Sequence, residues 1–168
     1  MLPKNLEELE RVRRECHGMV TARAGISGGA AVVPLPGLDV ATDVGLLMAL
    51  LPEVNRRFGL SPEQIDRYDL HTKSFLSRAV IKTGAKTVGK LLTKELVVQL
   101  LKRVGIRVAT KQVVKYIPFL GQAAAAALSF GAMKLVGDKH VADCYEVARR
   151  VLEDSAKTTS LASADAVA

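Results

Sequence analysis

Two long stretches of the chain are almost free of charge, and each contains helix-breaking residues. Residues 24–51 include no Lys or Arg, and residues 116–133 include no charged side chain at all. Proline and glycine interrupt both stretches, and they break or end helices. We therefore predict two apolar helical hairpins rather than continuous spans. Asp39 is expected to cap the helix behind the first turn. The predicted hairpin-turn residues are Pro34, Pro36, Gly37, Asp39, Pro118 and Gly121.

Small apolar residues dominate the composition and favour an all-α fold. Hydrophobic residues make up 49% of the chain, yet aromatic residues make up only 4% and Trp is absent. Small side chains allow close helix–helix approach, whereas a sheet core would call for larger ones. A chain of 168 residues fits one domain. We predict a compact bundle of six or seven helices over residues 1–154, followed by a disordered Ser/Thr/Ala-rich tail over residues 155–168.

Local capping and breaking residues predict where the helices begin and end. Asn5 followed by Glu8 starts a first helix that runs to about Ala24, and Ser61 with Gln64 forms a capping box for a later one. Glycines 84, 89 and 105 are expected to break the chain between them into two or three helices up to about residue 115. The other predicted helices cover residues 38–58, with Pro52 as a kink or end, 119–136 and 138–153.

Basic residues are concentrated in the middle of the chain. The net charge is +7, and residues 73–115 contain eleven Lys or Arg against one acid, Glu95. Many of them recur every four residues, which places them on one face of a helix. Ile81, Val88, Leu92 and Leu96 are expected on the opposing apolar face. The predicted membrane- and anion-binding residues are Arg78, Lys82, Lys86, Lys90, Lys94, Arg103, Arg107, Lys111 and Lys115.

These basic rows suit an anionic membrane surface better than nucleic acid. A basic residue near such a surface contributes about 1 kcal/mol. Proteins that bind single-stranded nucleic acid usually add aromatic stacking platforms, and this region offers only Phe75, with Tyr68 and Tyr116 near its ends. A simpler interpretation also stands, in which the lysines form the solvated face of an ordinary soluble bundle.

The apolar segments are expected to dock or insert shallowly rather than to span. Residues 116–133 approach the roughly 20 residues that a bilayer requires, and Lys115 and Lys134 bracket them. However, this segment is rich in alanine, and the other one contains Asp39 and Asp43. A carboxylate within a bilayer is costly unless it is paired or lies near the interface.

No combination of residues predicts catalysis, a metal or a cofactor. Gly84–Lys90 matches the spacing of a phosphate-binding loop, but Leu91 stands where Ser or Thr should hold magnesium, and a strand should precede the motif. Cys16-His17 and the His140/Cys144 pair could supply zinc ligands only if the first and last helices meet, and adjacent ligands rarely bind one ion. Two cysteines make no disulfide framework, so a reducing compartment is expected.

Three short motifs follow one another in a recognisable order: Val33–Asp39, Arg57-Phe58-Gly59 and Lys115–Gly121. In this order, the chain resembles the uncharacterised YcjF-type bacterial domain over residues 21–151. The resemblance implies association with the inner membrane, no established catalysis and frequent linkage to a small GTPase. Any GTPase partner of this chain would then be a separate protein.

The sequence thus predicts a non-enzymatic module that regulates a GTPase or a membrane complex. It would be cytoplasmic and peripheral to, or shallowly inserted in, the inner membrane, since the charged N-terminus lacks a signal-peptide apolar stretch. The expected partners are an anionic membrane surface, a GTPase or other protein, and a second copy of the chain, whereas nucleic acid is disfavoured. The alternative is a soluble helical interaction module such as an adaptor, a chaperone or an immunity-type binder.

Overall fold

A computed structural model describes residues 1–30, 38–85, 87–109 and 118–165 of the chain. Over these ranges the secondary structure is α-helix joined by turns, without a strand. The predicted all-α class is therefore confirmed. Five helices have 14 or more residues and one is a single short turn. They are α1 (Leu6–Ala30), α2 (Leu38–Arg57), α3 (Pro62–Asp66), α4 (Leu70–Thr83), α5 (Lys94–Ala109) and α6 (Pro118–Asp165).

Helix α1 begins where the sequence predicts but ends later. The Asn5 side chain accepts a hydrogen bond from the Glu8 backbone N–H (2.8 Å), and the Glu8 carboxylate accepts one from the Lys4 N–H (2.9 Å). These bonds satisfy backbone donors at the start of the helix. The helix then continues past Ala24 to Ala30. In this part Gly28 permits close packing, since a Cβ on it would lie 3.1 Å from the carbonyl oxygen of Ala126.

Polar caps and glycines delimit α3, α4 and α5. The predicted capping box at Ser61 and Gln64 is present, with both reciprocal hydrogen bonds. Gly84 ends α4 in the left-handed conformation (φ 66°), and Gly89 adopts a positive φ of 71° in the turn that follows. Both predicted breaks are therefore confirmed. The third, Gly105, is wrong, because Gly105 lies inside α5.

Helix α6 is continuous where the sequence predicts two separate helices, and it extends into the predicted tail. It is one helix of 48 residues. Gly137 does not break it, because the glycine allows close packing: a Cβ there would lie 2.7 Å from Cγ1 of Val20. Asp138 does not start a new helix, because its carboxylate binds Lys134 (2.5 Å) and His17 (2.7 Å). The helix also includes residues 155–165, where the sequence predicts disorder. Similarly, α2 continues past Pro52 to Arg57.

The chain packs into two compact units that interleave along the sequence. The first unit comprises Met1–Arg14, Val54–Leu91 and His140–Ala168, and the second comprises Glu15–Glu53 and Leu92–Lys139. Helices α1 and α6 each contribute residues to both units. The single domain over residues 1–154 stays a prediction.

The core of the first unit joins the N-terminus to the ends of α2 and α6. Gly59 has a positive φ of 73°, and a Cβ there would collide with the backbone of Met1 and Leu2. The Tyr68 hydroxyl links these two backbone segments, since it donates to the Gly59 carbonyl (2.9 Å) and accepts from the Leu2 N–H (3.0 Å). The fully buried side chains of this unit include Leu9, Val54, Phe58, Leu60, Val141, Cys144 and Val147.

The second unit contains a buried polar contact among three helices. Ser27 of α1 and Ser129 of α6 both donate hydrogen bonds to the Asp43 carboxylate of α2, the latter at 2.8 Å. The two serine oxygens are 2.9 Å apart. These bonds supply the partners that a buried carboxylate needs. The sequence placed Asp43 in an apolar segment, and the structure shows how it is paired there.

The predicted hairpin turns are covered only in part. Pro34, Pro36 and Gly37 lie outside the described residues. Asp39 is in α2, and Pro118 and Gly121 are in the first turn of α6, but their side chains lie outside the described part. Within the described residues, the structure contains no helix that is both long enough and apolar enough to cross a bilayer.

Candidate functional site

The first row of basic residues, from Arg78 to Lys94, does not lie on one helix. Arg78 and Lys82 are on α4, Lys90 is in the turn after it, and Lys94 begins α5. The continuous cationic stripe from Arg78 to Lys94 is therefore wrong, because Gly84 ends α4 within it. Lys86 lies outside the described residues. The side chains of Arg78, Lys82, Lys90 and Lys94 are all exposed.

The second basic row is described only at its beginning. Arg103 is exposed on α5, and its neighbour Lys102 is exposed as well. Arg107 lies in α5, but its side chain is outside the described part. Lys111 and Lys115 are outside it altogether. Lys94 and Arg103 belong to the second unit, whereas Arg78, Lys82 and Lys90 belong to the first. The first unit therefore provides the better-defined candidate site.

Large apolar side chains share the exposed face of α4 with the basic ones. Leu70 is 86% exposed and Ile81 is 76% exposed. They are eleven positions apart, which returns a helix to nearly the same face. The prediction that Ile81 lies on an apolar face opposite the basic residues is wrong, because Ile81 is exposed beside them while Phe75, Leu76 and Ala79 form the buried side of α4. We call Leu70, Arg78, Ile81 and Lys82 the basic–apolar face.

Local contacts hold α4 so that this face points outward. Asp69 caps the helix by accepting a hydrogen bond from the Thr72 N–H (2.9 Å). That hydrogen bond lowers the pKa of Asp69. The Arg78 guanidinium stacks over the buried Phe75 ring, 4.8 Å from its centroid. This cation–π contact orients Arg78 while its charge remains accessible.

The turn after α4 presents a second basic and apolar pair, Lys90 and Leu91. Leu91 is 78% exposed, although Ala85 and Val88 just before it are buried. Gly89 permits the tight turn, since a Cβ there would lie 2.7 Å from Cδ1 of Ile65. Thr87 adds a hydrogen bond to His140 (3.1 Å). The segment is therefore anchored by its small buried residues. We call Lys90 and Leu91 the loop pair.

The exposed cations of this region lack acidic partners within the described residues. Arg78, Lys82 and Lys90 form no ion pair there, and neither do Lys94 and Arg103. Basic residues elsewhere behave differently, since Lys134 pairs with Asp138, and Arg149 and Arg150 pair with Glu146. The positive charge of the basic–apolar face and the loop pair is consequently available to an external anion.

The cysteines and histidines give no metal site in the described part of the chain. No group of three or more His, Cys, Asp or Glu side chains there could hold an ion. Instead, His140 and Cys144 belong to a buried network in which Cys144 Sγ lies 3.7 Å from His140 Nε2 and 3.3 Å from the Asn55 side-chain oxygen. All three side chains are buried. A thiol in this position has no access to a substrate.

The segment that matches phosphate-binding-loop spacing has a different structure. It follows helix α4 and not a strand, and residues 87–90 form a turn before α5. A phosphate-binding loop instead joins a strand directly to a helix. The absence of catalysis stays a prediction.

No protein-family model, curated protein or solved structure matches this chain. The resemblance to the YcjF-type domain therefore rests on the sequence motifs alone.

Proposed function

We propose that this protein is a non-enzymatic helical module that binds an anionic membrane surface through the basic–apolar face and the loop pair. The single observation that carries the proposal is the alternation of Leu70, Ile81 and Leu91 with cations that form no ion pair within the described residues, all on exposed parts of one unit. Such a combination is typical of segments that lie in the membrane interface, where apolar side chains enter the acyl boundary and cations meet headgroups.

The magnitudes support this role. Moving an exposed Leu or Ile side chain out of water contributes about 1.5–3 kcal/mol, and each basic residue near an anionic surface adds about 1 kcal/mol. A micromolar affinity corresponds to about 8 kcal/mol. Three apolar and three basic side chains are therefore enough for reversible binding without a membrane-spanning helix.

The broader role proposed for the module includes regulation of a GTPase or a membrane complex, and localisation at the cytoplasmic side of the inner membrane. These parts rest on the resemblance to the YcjF-type domain. The compact bundle of six or seven helices with two apolar hairpins, assembly with a second copy, and contributions from Lys94, Arg103, Arg107, Lys111 and Lys115 also belong to this proposal.

The test is co-sedimentation of the protein with vesicles that contain phosphatidylglycerol, compared with vesicles of phosphatidylcholine alone. We expect binding only to the anionic vesicles, and we expect it to weaken as salt rises, because salt screens exposed charges. Arg78→Glu combined with Lys90→Glu should weaken binding by more than about thirtyfold, since two cations are lost and two repulsive charges are gained.

Lys4→Glu combined with Arg14→Glu is the matched control. Both residues are exposed and lie outside the basic–apolar face and the loop pair, and the double variant has the same net charge as the test variant. It should lose much less affinity. Equal losses in the two variants would show attraction by net charge alone. If the protein binds neither kind of vesicle, the result would favour the alternative function as a soluble interaction module.

A further inference from the structure

A small cleft lies between α4 and the second half of α6, within the first unit. Its volume is about 120 Å³, and its lining residues are Ala79, Lys82, Arg150, Glu153, Asp154 and Lys157. The space equals that of about four water molecules at roughly 30 Å³ each. It is therefore large enough for a small polar group and too small for a peptide or a nucleotide.

Both signs of charge line this cleft. On α6, Arg150, Glu153, Asp154 and Lys157 follow the spacing of one helical face, and Lys82 comes from α4. Lys82 and Asp154 form no ion pair with any residue that the structure describes. Arg150 donates from Nε to Glu146 (2.8 Å), and a guanidinium has four further N–H donors on its two Nη groups. Glu153 binds Arg149, whereas Lys82 and Asp154 bring opposite charges to one space without forming an ion pair within the described residues.

This pattern selects the chemistry of the ligand. A simple anion in the cleft would meet the carboxylates of Glu153 and Asp154, and a simple cation would meet three basic side chains. A group that carries both charges satisfies both sets. Arg and Lys are the usual partners of a phosphate, and a carboxylate is the usual partner of a primary ammonium, which offers three N–H donors.

We propose that the cleft between α4 and α6 binds a phosphoethanolamine group, with its phosphate at Lys82 and Arg150 and its ammonium at Asp154. This inference rests on the proposed function, because Lys82 belongs both to the cleft and to the basic–apolar face. A lipid whose headgroup enters the cleft is held next to the surface that meets the membrane. The protein then recognises one lipid class in addition to negative charge.

The experiment compares two sets of vesicles with the same fraction of phosphatidylglycerol. The remainder is phosphatidylethanolamine in one set and phosphatidylcholine in the other. The trimethylated ammonium of phosphatidylcholine cannot donate hydrogen bonds to a carboxylate. We expect roughly tenfold tighter binding to the phosphatidylethanolamine set, the factor that one charge-assisted hydrogen bond contributes.

Asp154→Asn is the test variant, and Asp66→Asn is its matched control. Both change one exposed or half-exposed acid by the same chemistry, but Asp66 lies outside the cleft. Asp154→Asn should bind both vesicle sets with nearly equal affinity, and Asp66→Asn should keep the preference of the native chain. Equal affinity of the native chain for both sets, or a preference that survives in Asp154→Asn, would overturn the inference while leaving membrane binding intact.

A second arm separates the cleft from the membrane. Glycerophosphoethanolamine and glycerophosphocholine are each titrated into the protein, and the amide resonances of residues 79–82 and 150–157 are followed by NMR. We expect saturable shifts with glycerophosphoethanolamine that are absent in Asp154→Asn. If the chain binds no vesicles but shows these shifts, the cleft stands as a site for the soluble group and the proposed function fails. If no shift occurs and the vesicle preference is also absent, the headgroup site is wrong.

Discussion

Two regions of the first unit differ in whether their charged side chains have partners within the protein. Between α1 and α6, the Tyr145 hydroxyl donates to Glu10 (2.6 Å), and the Arg13 guanidinium lies 4.7 Å from the centre of the Tyr145 ring. Nearby, Arg149 pairs with the Glu146 carboxylate. On the basic–apolar face, by contrast, Arg78 and Lys82 form no ion pair within the part of the chain that the structure describes, and Leu70 and Ile81 are exposed. The first region uses charge for its own stability, and the second leaves charge for a partner.

This comparison predicts that changes in the two regions affect different measurements. Substitutions between α1 and α6 should lower the free energy of unfolding and leave vesicle binding of the folded protein unchanged. Substitutions on the basic–apolar face and the loop pair should do the reverse, because exposed side chains contribute little to folding.

The largest expected effect comes from removing the exposed apolar side chains. Ile81→Ser combined with Leu91→Ser should weaken binding to anionic vesicles at least about a hundredfold, since each side chain contributes about 1.5–3 kcal/mol when it leaves water. The free energy of unfolding, measured by equilibrium denaturation in urea, should change by less than about 0.5 kcal/mol. Retained vesicle affinity would show that these side chains do not enter the membrane.

The next effect concerns the contact between α1 and α6. Tyr145→Ala should lower the free energy of unfolding by about 2 kcal/mol, because it removes a hydrogen bond, a cation–π contact and half-buried ring area. Urea denaturation measures this change. The vesicle affinity of the folded variant should equal that of the native chain. A loss of both stability and vesicle affinity would show that the two regions do not act separately.

The stability that the ion pairs of the same contact region contribute should decrease in acid. Hydrogen bonds from Arg149 and then Arg150 outweigh partial burial and lower the pKa of Glu146 below its ordinary value of 4.5. The folded state thus holds the carboxylate ionised more strongly than the unfolded state does. Its contribution to stability is complete above about pH 4.5 and is lost as pH falls through the folded pKa.

Glu146→Gln tests this dependence. At neutral pH the variant should be less stable by several tenths of a kcal/mol, a modest figure because the pair is partly exposed to solvent. The difference in urea midpoints should close when both proteins are measured well below pH 4.5. A difference that persists in acid would attribute the effect to packing and not to charge.

The smallest expected effect is at the surface pair of Arg11 and Glu8. Their charged atoms are 3.7 Å apart, and the Arg11 side chain is 62% exposed. Arg11→Gln should change the free energy of unfolding by less than about 0.5 kcal/mol. A larger loss would show that this exposed ion pair contributes more to the stability of the fold than we expect of a surface pair.

Local features of the fold were predictable from the sequence, because they depend on neighbouring residues. Asn5 and Ser61 cap helices as expected, and Gly84 and Gly89 break the chain where their spacing suggests. Gly137 shows where this reasoning fails. The same residue type that breaks helices also lets two helices approach closely, and only the position of Val20 decides between the two roles.

The candidate site was predictable only in its charges. The sequence identified Arg78, Lys82 and Lys90 as basic residues of one region, but it placed Ile81 on the face opposite them and gave no role to Leu70 or Leu91. Their exposure depends on the phase of α4 against the core, which Phe75 and Ala79 determine. The cleft was missed as well, because only tertiary packing brings Lys82 and Asp154 to one cleft.

The most direct test of the account measures whether the apolar residues leave water at a membrane. An environment-sensitive fluorophore is attached in turn to Ile81→Cys, Leu91→Cys and, as a control, Lys4→Cys, and a water-soluble quencher is added with anionic vesicles. The account predicts that vesicles shield the probes at positions 81 and 91, whereas the probe at position 4 stays accessible. Equal quenching at all three positions, with or without vesicles, would contradict it.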